Sequence, residues 1–252
     1  MDKTEAPKAN DDSGQREASQ YWGYLIRNDK CGTDKFDRLL RGIATVISTT
    51  FEPYDSSDLT PSQLAAFYRA VGGDYDVLFK ETPPSTISFI YRSLGAFHSL
   101  QPAPDDDGYK APCIPALKAK GFVTWQTIQL LLGPEEHVPL IQKAVELYDV
   151  RDPKTGELFP KVLPKECFPD RPDDAMEEWY QGVADRLQRE AEMEAAEKQE
   201  PTRVRVEVHD RGPRTSSETS DYERHGAATY FSDPLYRRTR TRPGYARHFS
   251  KQ

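Results

Sequence analysis

Apolar positions along the chain cluster into short helical periods, and the densest run lies between Gly121 and Val150. Within it Trp125, Ile128, Leu131 and Leu132 recur at helical spacing, and Val138, Ile141, Val145 and Tyr148 do the same beyond a Gly133-Pro134 break, with Leu140, Ala144 and Leu147 widening the face. The pattern predicts two helices that need partners on several sides. Gly133 suits the end of the first helix; Pro134 followed by Glu135 and Glu136 suits the start of the second, where a fixed φ and negative charge are favoured.

Upstream, Thr33 can cap a helix beginning at Asp34 in which Phe36, Leu39, Leu40, Ile43, Ala44 and Ile47 hold one face. Gly42 inside that helix costs about 1 kcal/mol relative to Ala, which points either to a backbone passing close by or to a tolerated glycine. Thr60-Pro61-Ser62-Gln63 reads as a capping box with proline at the first helical position; Leu64, Phe67, Tyr68 and Val71 follow as the buried stripe, and Gly72-Gly73 ends it. Ser85 is placed to cap a short third helix through Ile87, Ile90, Tyr91 and Leu94 to Gly95. Residues 101–120 read as a long loop, and the proline-rich stretch 151–172 as an extended arm over apolar surface. A last helix carries Met176, Trp179, Tyr180, Val183 and Leu187, then continues as nearly pure charge and alanine over 191–200.

These elements give a mainly α fold: a compact single helical domain at 21–190, a disordered N-terminal tail at 1–20, a charged helical extension at 191–200, and a disordered Arg-rich tail at 201–252 with strand character confined to VRVEV. The aromatic segment Tyr21 to Ile26 is too short to be a core and must dock on something later. The expected core is Trp22, Phe36, Leu40, Ile43, Phe67, Trp125, Ile128, Leu131, Ile141 and Val145.

Several longer strings, YWGYLI, LLRGIA, LTPSQLAAFYRAVGG, LGAFHSLQP, GFVTWQTIQLLLGPEEHVPLIQKAV, LPKECFP and EEWYQGVADRLQRE, run in that order through residues 21–190. In this the chain resembles a domain of unknown function found in filamentous fungi. The resemblance implies a fungal source and one domain between variable tails, and it brings no activity, ligand or catalytic residue.

Composition and charge narrow the rest. With 30% charged and 37% hydrophobic residues in 252, and a mean hydropathy of -0.77, one domain with solvated ends is the economical reading. No apolar run approaches the ~20 residues of a membrane span, so the chain reads as intracellular, cytoplasmic or nuclear. Cys31, Cys113 and Cys167 are widely spaced, in no CxxC pair, and read as reduced thiols. The net charge of -7 divides unevenly: residues 201–252 hold eleven Lys or Arg against six Asp or Glu, a balance of +5 that leaves -12 for residues 1–200.

Chemistry is sparse. Helix, polar loop and helix around EPYDSSDLTPSQ, and again around KGFVT, read first as two ordinary capped helical hairpins, the alternative being degenerate EF-hand-like pairs without metal in which Leu59 and Val123 are the loops' apolar residues. The first loop would offer Glu52, Tyr54, Ser56, the Asp58 carbonyl, Thr60 and Gln63; the second would offer Lys118, Lys120 and Thr127, which cannot hold calcium. No metal or other cofactor is expected. A hydrolase could use Cys113 with His98 and an aspartate from 105–107, although Cys113 lacks the exposing turn of a reactive thiol. His137 reads as a solvated or cap-region histidine, and no phosphate-binding or nucleophile-elbow motif occurs. In the tail, Tyr230, Phe231 and Tyr236 accompany Arg237, Arg238, Arg240, Arg242 and Arg247, a mixture suited to weak, salt-dependent contact with RNA or another anionic surface. The leading expectation is a non-catalytic adaptor whose partner is protein.

Overall fold

The computed structural model describes residues 9–54, 56–104 and 108–199. It is mainly helical, with α1 Ala9–Trp22, α2 Asp34–Thr50, α3 Pro61–Ala70, α4 Pro84–Ser93, α5 Ala119–Leu132, α6 Pro134–Leu147 and α7 Asp174–Gln199, plus one antiparallel hairpin of β1 His98–Gln101 and β2 Ile114–Leu117.

The clearest sequence signals form as expected. Thr33 accepts the Phe36 N–H at the start of α2, and Thr60 and Gln63 complete a reciprocal capping box at α3. Gly133 stands between α5 and α6, where it ends the first and starts the second with φ -150° and ψ 69°, outside the left-handed region that favours glycine. All ten expected core residues are buried. α2 packs along α5, α3 on a π-helical turn at Val77–Glu81, and α5 also contacts α6, α7 and β2. Removing each such large apolar side chain from water contributes about 1.5–3 kcal/mol.

Close backbone approach explains two glycines. A Cβ on Gly42 would lie 2.5 Å from the carbonyl oxygen of Arg151, so α2 is crossed there by the chain leaving α6. A Cβ on Gly121 would lie 1.9 Å from the Phe97 carbonyl oxygen, where the first turn of α5 meets the residue before β1.

Leu59 and Leu117 exchange both backbone hydrogen bonds, at 2.7 and 2.8 Å, which ties the loop before α3 to the strand before α5. The expected pairing residue of the second loop, Val123, instead lies within α5. The register differs because Lys118 is the N-cap, so the helix starts four residues before Val123.

Other departures share a cause: long-range docking not written in local period. Residues 9–20, expected as part of a polar tail, are helical, because Ala18 and Trp22 are buried while the remaining face stays polar. Trp22 stacks on Phe159 with ring centroids 5.3 Å apart, and its indole N–H donates to the Val162 carbonyl at 2.8 Å. Residues 1–8 lie outside the described residues. The expected loop at 101–120 contains β2, held by β1 on one side and by Leu59 on the other, and runs into α5 at Ala119. α4 starts behind Pro83, with Pro84 in its first turn and no side-chain cap, instead of at Ser85. The 151–172 arm does lie on the core through Phe159, Leu163, Cys167 and Phe168, and Leu25 donates to the Cys167 carbonyl at 2.8 Å, the anchor that the Tyr21 to Ile26 segment needed. On α7, Tyr180, Val183 and Ala184 face inward while Trp179 remains 43% exposed. VRVEV and the rest of 200–252 lie outside the described residues.

Candidate functional site

The loop entering α3 is fixed from within. The Gln63 side chain accepts from its own cap, Thr60 N–H, at 2.9 Å, and its amide nitrogen donates to the carbonyls of Phe51 at 3.2 Å and Pro53 at 2.9 Å. Asp58, a buried acid, accepts from Ser99 of β1 and sits 3.6 Å from the Lys118 ammonium, so the loop is also pinned to the hairpin. Opposite it, the π-helical turn buries Leu78 and Phe79 and ends where Thr82 donates to the Val77 carbonyl through both N–H and hydroxyl.

Between these rigid walls lies a groove of about 580 Å³. Pro53, Pro61, Pro84, Ile87, Pro102, Pro104 and Ile114 make most of its apolar surface, Phe79 and Ala103 add to it, and Lys80 is the charged side chain in its described lining. Lys80 is 3.7 Å from Asp76, which also pairs with Arg69. The groove draws on the α3 entry, the π turn, the first turn of α4 and the loop end of the hairpin, elements separated by up to about sixty residues in sequence. Such concave, mostly apolar surfaces on a rigid frame suit a peptide or small apolar ligand. A second cleft, about 730 Å³, runs between Tyr24 to Lys30 and the entry to α7, with Arg27, Arg171, Asp170 and Asp174 on its walls. There Lys30 pairs with Asp173, and that hydrogen bond holds the Asp173 carboxyl below the ordinary carboxylate range.

A buried polar chain crosses the core beneath the groove's Phe79. Trp125 N–H donates to the Tyr68 hydroxyl at 3.2 Å, Tyr68 donates to the Gln126 carbonyl oxygen at 2.7 Å, and the Gln126 amide donates to His137 Nδ1 at 3.3 Å. Because an amide nitrogen only donates, Nδ1 is the acceptor and the proton sits on Nε2, which donates to the Tyr75 hydroxyl at 2.9 Å. Tyr75 in turn donates to the Glu136 carboxylate at 2.9 Å. Every donor points the same way, toward that negative charge. His137 is therefore not solvated as its neighbours in sequence suggest: it is 1% exposed, and desolvation lowers its pKa from 6.5 to about 3. The chain satisfies groups whose burial unpaired would cost about 1–3 kcal/mol each.

His98 and Cys113 are not brought together. His98 pairs across the hairpin with Leu117, whereas the Cys113 N–H bonds Gln101 at the other end, roughly 10 Å along the strand at 3.3 Å per residue. His98 Nδ1 faces the Ala96 carbonyl at 3.2 Å and so carries the proton; Nε2 accepts from the Ser88 hydroxyl at 2.8 Å. This half-buried Ser88–His98 pair ties α4 to β1, and neither cleft reaches it. Cys31 and Cys113 are exposed free thiols; Cys167 is buried, and desolvation, with a smaller push from Glu166, raises its pKa. Asp105 to Asp107, and the tail residues Arg237, Arg238, Arg240, Arg242 and Arg247, lie outside the described residues. Among the described residues no helix is long and apolar enough to cross a membrane.

The groove was not visible in the sequence, where Pro61 reads as a helix start and its other prolines carry no shared signal. Nor was the polar chain, since Tyr68 and Gln126 stand 58 residues apart and Tyr75 and His137 stand 62 apart. Comparison with known proteins gives one family: the model of a domain of unknown function, DUF7514, matches residues 23–184. No curated protein and no solved structure matches.

Proposed function

The chain belongs to the DUF7514 family of domains of unknown function, and from that premise we propose that its helical body is a non-catalytic protein-interaction module that receives a peptide segment of another protein in the 580 Å³ groove. The observation that carries this reading is the groove itself: an apolar trough rich in proline, with walls locked by the Gln63 and Asp58 hydrogen bonds before any ligand arrives. Proline and a capped helix start lose little entropy on binding, so apolar contact there converts efficiently into affinity. In its lining Ser62 shares a hydrogen bond with Thr60 and Gln101 donates to Ser99, and each keeps further hydrogen-bonding capacity for a peptide backbone. The exposed free thiols of Cys31 and Cys113 fit a reducing, intracellular setting.

Ala103 is half-buried in the groove and belongs to no helix or strand, so Ala103→Trp fills the trough without entering the core. Affinity purification of the full chain from its native host, beside that variant, tests the reading. A stoichiometric protein partner recovered with the wild type and lost with Ala103→Trp, at an unchanged melting temperature, is expected. An identical partner set for both proteins removes the groove from the account.

A further inference from the structure

The hairpin is covered on its β2 side and open on its β1 side. Leu117 of β2 turns both of its backbone groups to Leu59, so the loop before α3 holds that edge. His98 lies opposite Leu117 and Ser99 opposite Ala116, and the Lys118 N–H bonds the Phe97 carbonyl at 3.0 Å. Because bonded and non-bonded pairs alternate along an antiparallel ladder, Ser99 and Gln101 direct their backbone groups to β2, whereas His98 and Leu100 direct theirs outward. Among the described residues no hydrogen bond meets the backbone N–H or C=O of His98 or Leu100. The edge is also unguarded: Leu100 is 49% exposed, and His98, Ser99, Leu100 and Gln101 include none of the lysines, acids or prolines that keep an open strand from pairing.

An N–H and a C=O on each of two alternate residues are matched by another backbone in extended conformation. A second copy of this chain is too small a gain. Two β1 edges pairing with each other would share the four bonds of His98 and Leu100, and at one bond per roughly 100–200 Å² that is about 400–800 Å², below the ~1,200 Å² of a stable interface. A peptide gains more, because Gln101 both ends β1 and lines the groove, and Pro102, Ala103 and Pro104 continue the wall. A chain laid along β1 and carried past Gln101 meets the trough.

We propose that the partner segment is an extended peptide that adds as a new strand to the open edge of β1 and continues past Gln101 into the groove. This rests on the reading of the groove as a peptide receptor and names the form its ligand takes. Backbone hydrogen bonds with His98 and Leu100 set the register, which bars proline from the paired positions of the peptide, and apolar side chains beyond them fill the trough.

A phage-displayed library of random peptides, panned on the purified full chain, tests it. Leu100→Pro removes an outward N–H and leaves the β2-facing groups of Ser99 and Gln101 in place, whereas Leu100→Ala keeps the N–H and trims the side chain. Selected peptides are expected to bind Leu100→Pro about tenfold more weakly than wild type at an unchanged melting temperature, and Leu100→Ala within about threefold. They should also slow amide exchange at His98 and Leu100, which is fast in the free chain; this arm depends on no variant. Peptides that bind Leu100→Pro as tightly as wild type, or that leave both amides fast, overturn the inference. So does slow exchange at these amides in the free chain, which would mean that the chain itself, or a second copy where protection grows with protein concentration, already holds the edge. Binding lost with Ala103→Trp but kept by Leu100→Pro would sink the strand pairing and leave the groove reading standing. Binding lost with Leu100→Pro but kept by Ala103→Trp would do the reverse. A library that yields no binding peptide would overturn both.

Discussion

Replacing His137 with glutamine should change how stability depends on pH far more than it changes the fold. The imidazole is 1% exposed, hydrogen-bonded between Gln126 and Tyr75, and linked to the Glu136 carboxylate through the Tyr75 hydroxyl. Its pKa is about 3 in the folded protein against 6.5 as a free side chain, so the folded state resists the proton that the unfolded state accepts. The stability that comes from keeping this ring neutral is thus complete above pH 6.5 and is lost as pH falls toward 3. At pH 5 the unfolded ring is one and a half units below its pKa and almost fully protonated, while the folded ring remains neutral; at about 1.4 kcal/mol per unit the loss is about 2 kcal/mol. Glutamine cannot titrate. His137→Gln should therefore cost about 1–3 kcal/mol at pH 8 by disturbing the network, yet lose about 2 kcal/mol less than the wild type on going from pH 8 to pH 5. Urea denaturation of both proteins at the two pH values measures the difference. Parallel losses in wild type and variant would refute the buried, neutral assignment, since the carboxylates common to both cannot produce the gap.

Other substitutions read separate parts of the structure. Gly42→Ala should destabilise by about 1–3 kcal/mol despite the helix propensity it gains, because its methyl group meets the Arg151 carbonyl, whereas Gly14→Ala in open space on α1 should be neutral or stabilising by up to ~1 kcal/mol; thermal melts compare them. Gln63→Ala removes one side of the capping box and both ties to the preceding loop, and a fall of about 1–3 kcal/mol with faster exchange at residues 51–54 is expected. Thiol labelling of the native protein should modify Cys31 and Cys113 at similar rates and Cys167 much more slowly, as burial and a raised pKa both protect the last; a Cys113 that outpaces Cys31 severalfold would contradict its description as an ordinary exposed thiol.

What the sequence disclosed was local. The face from Phe36 to Ile47, the Thr60 to Gln63 box and the Gly133-Pro134 break are each written within four to twelve residues, and each formed. Period alone was less informative where burial is nearly all-round: Gln126 and Gln129 sit among the apolar positions of α5 yet are buried, Gln126 as a link in the polar chain. α1 escaped notice because its buried residues among those described are Ala18 and Trp22, and the surface Trp22 meets, Phe159 and Val162, lies about 140 residues away. The candidate nucleophile pair failed to assemble for a related reason, since a hairpin sets its residues at opposite ends in a way that spacing of fifteen residues does not reveal. The groove depends on five separate segments and has no local signature at all.

Site-specific photo-crosslinking from position 103 in the full chain, expressed in its native host, tests the groove most directly. Adducts from this position to a discrete segment of a partner protein, absent from a probe at Lys143 outside the groove's lining, are the predicted result. A position 103 probe that yields no more adduct than the Lys143 control would contradict the claim that this groove receives a peptide.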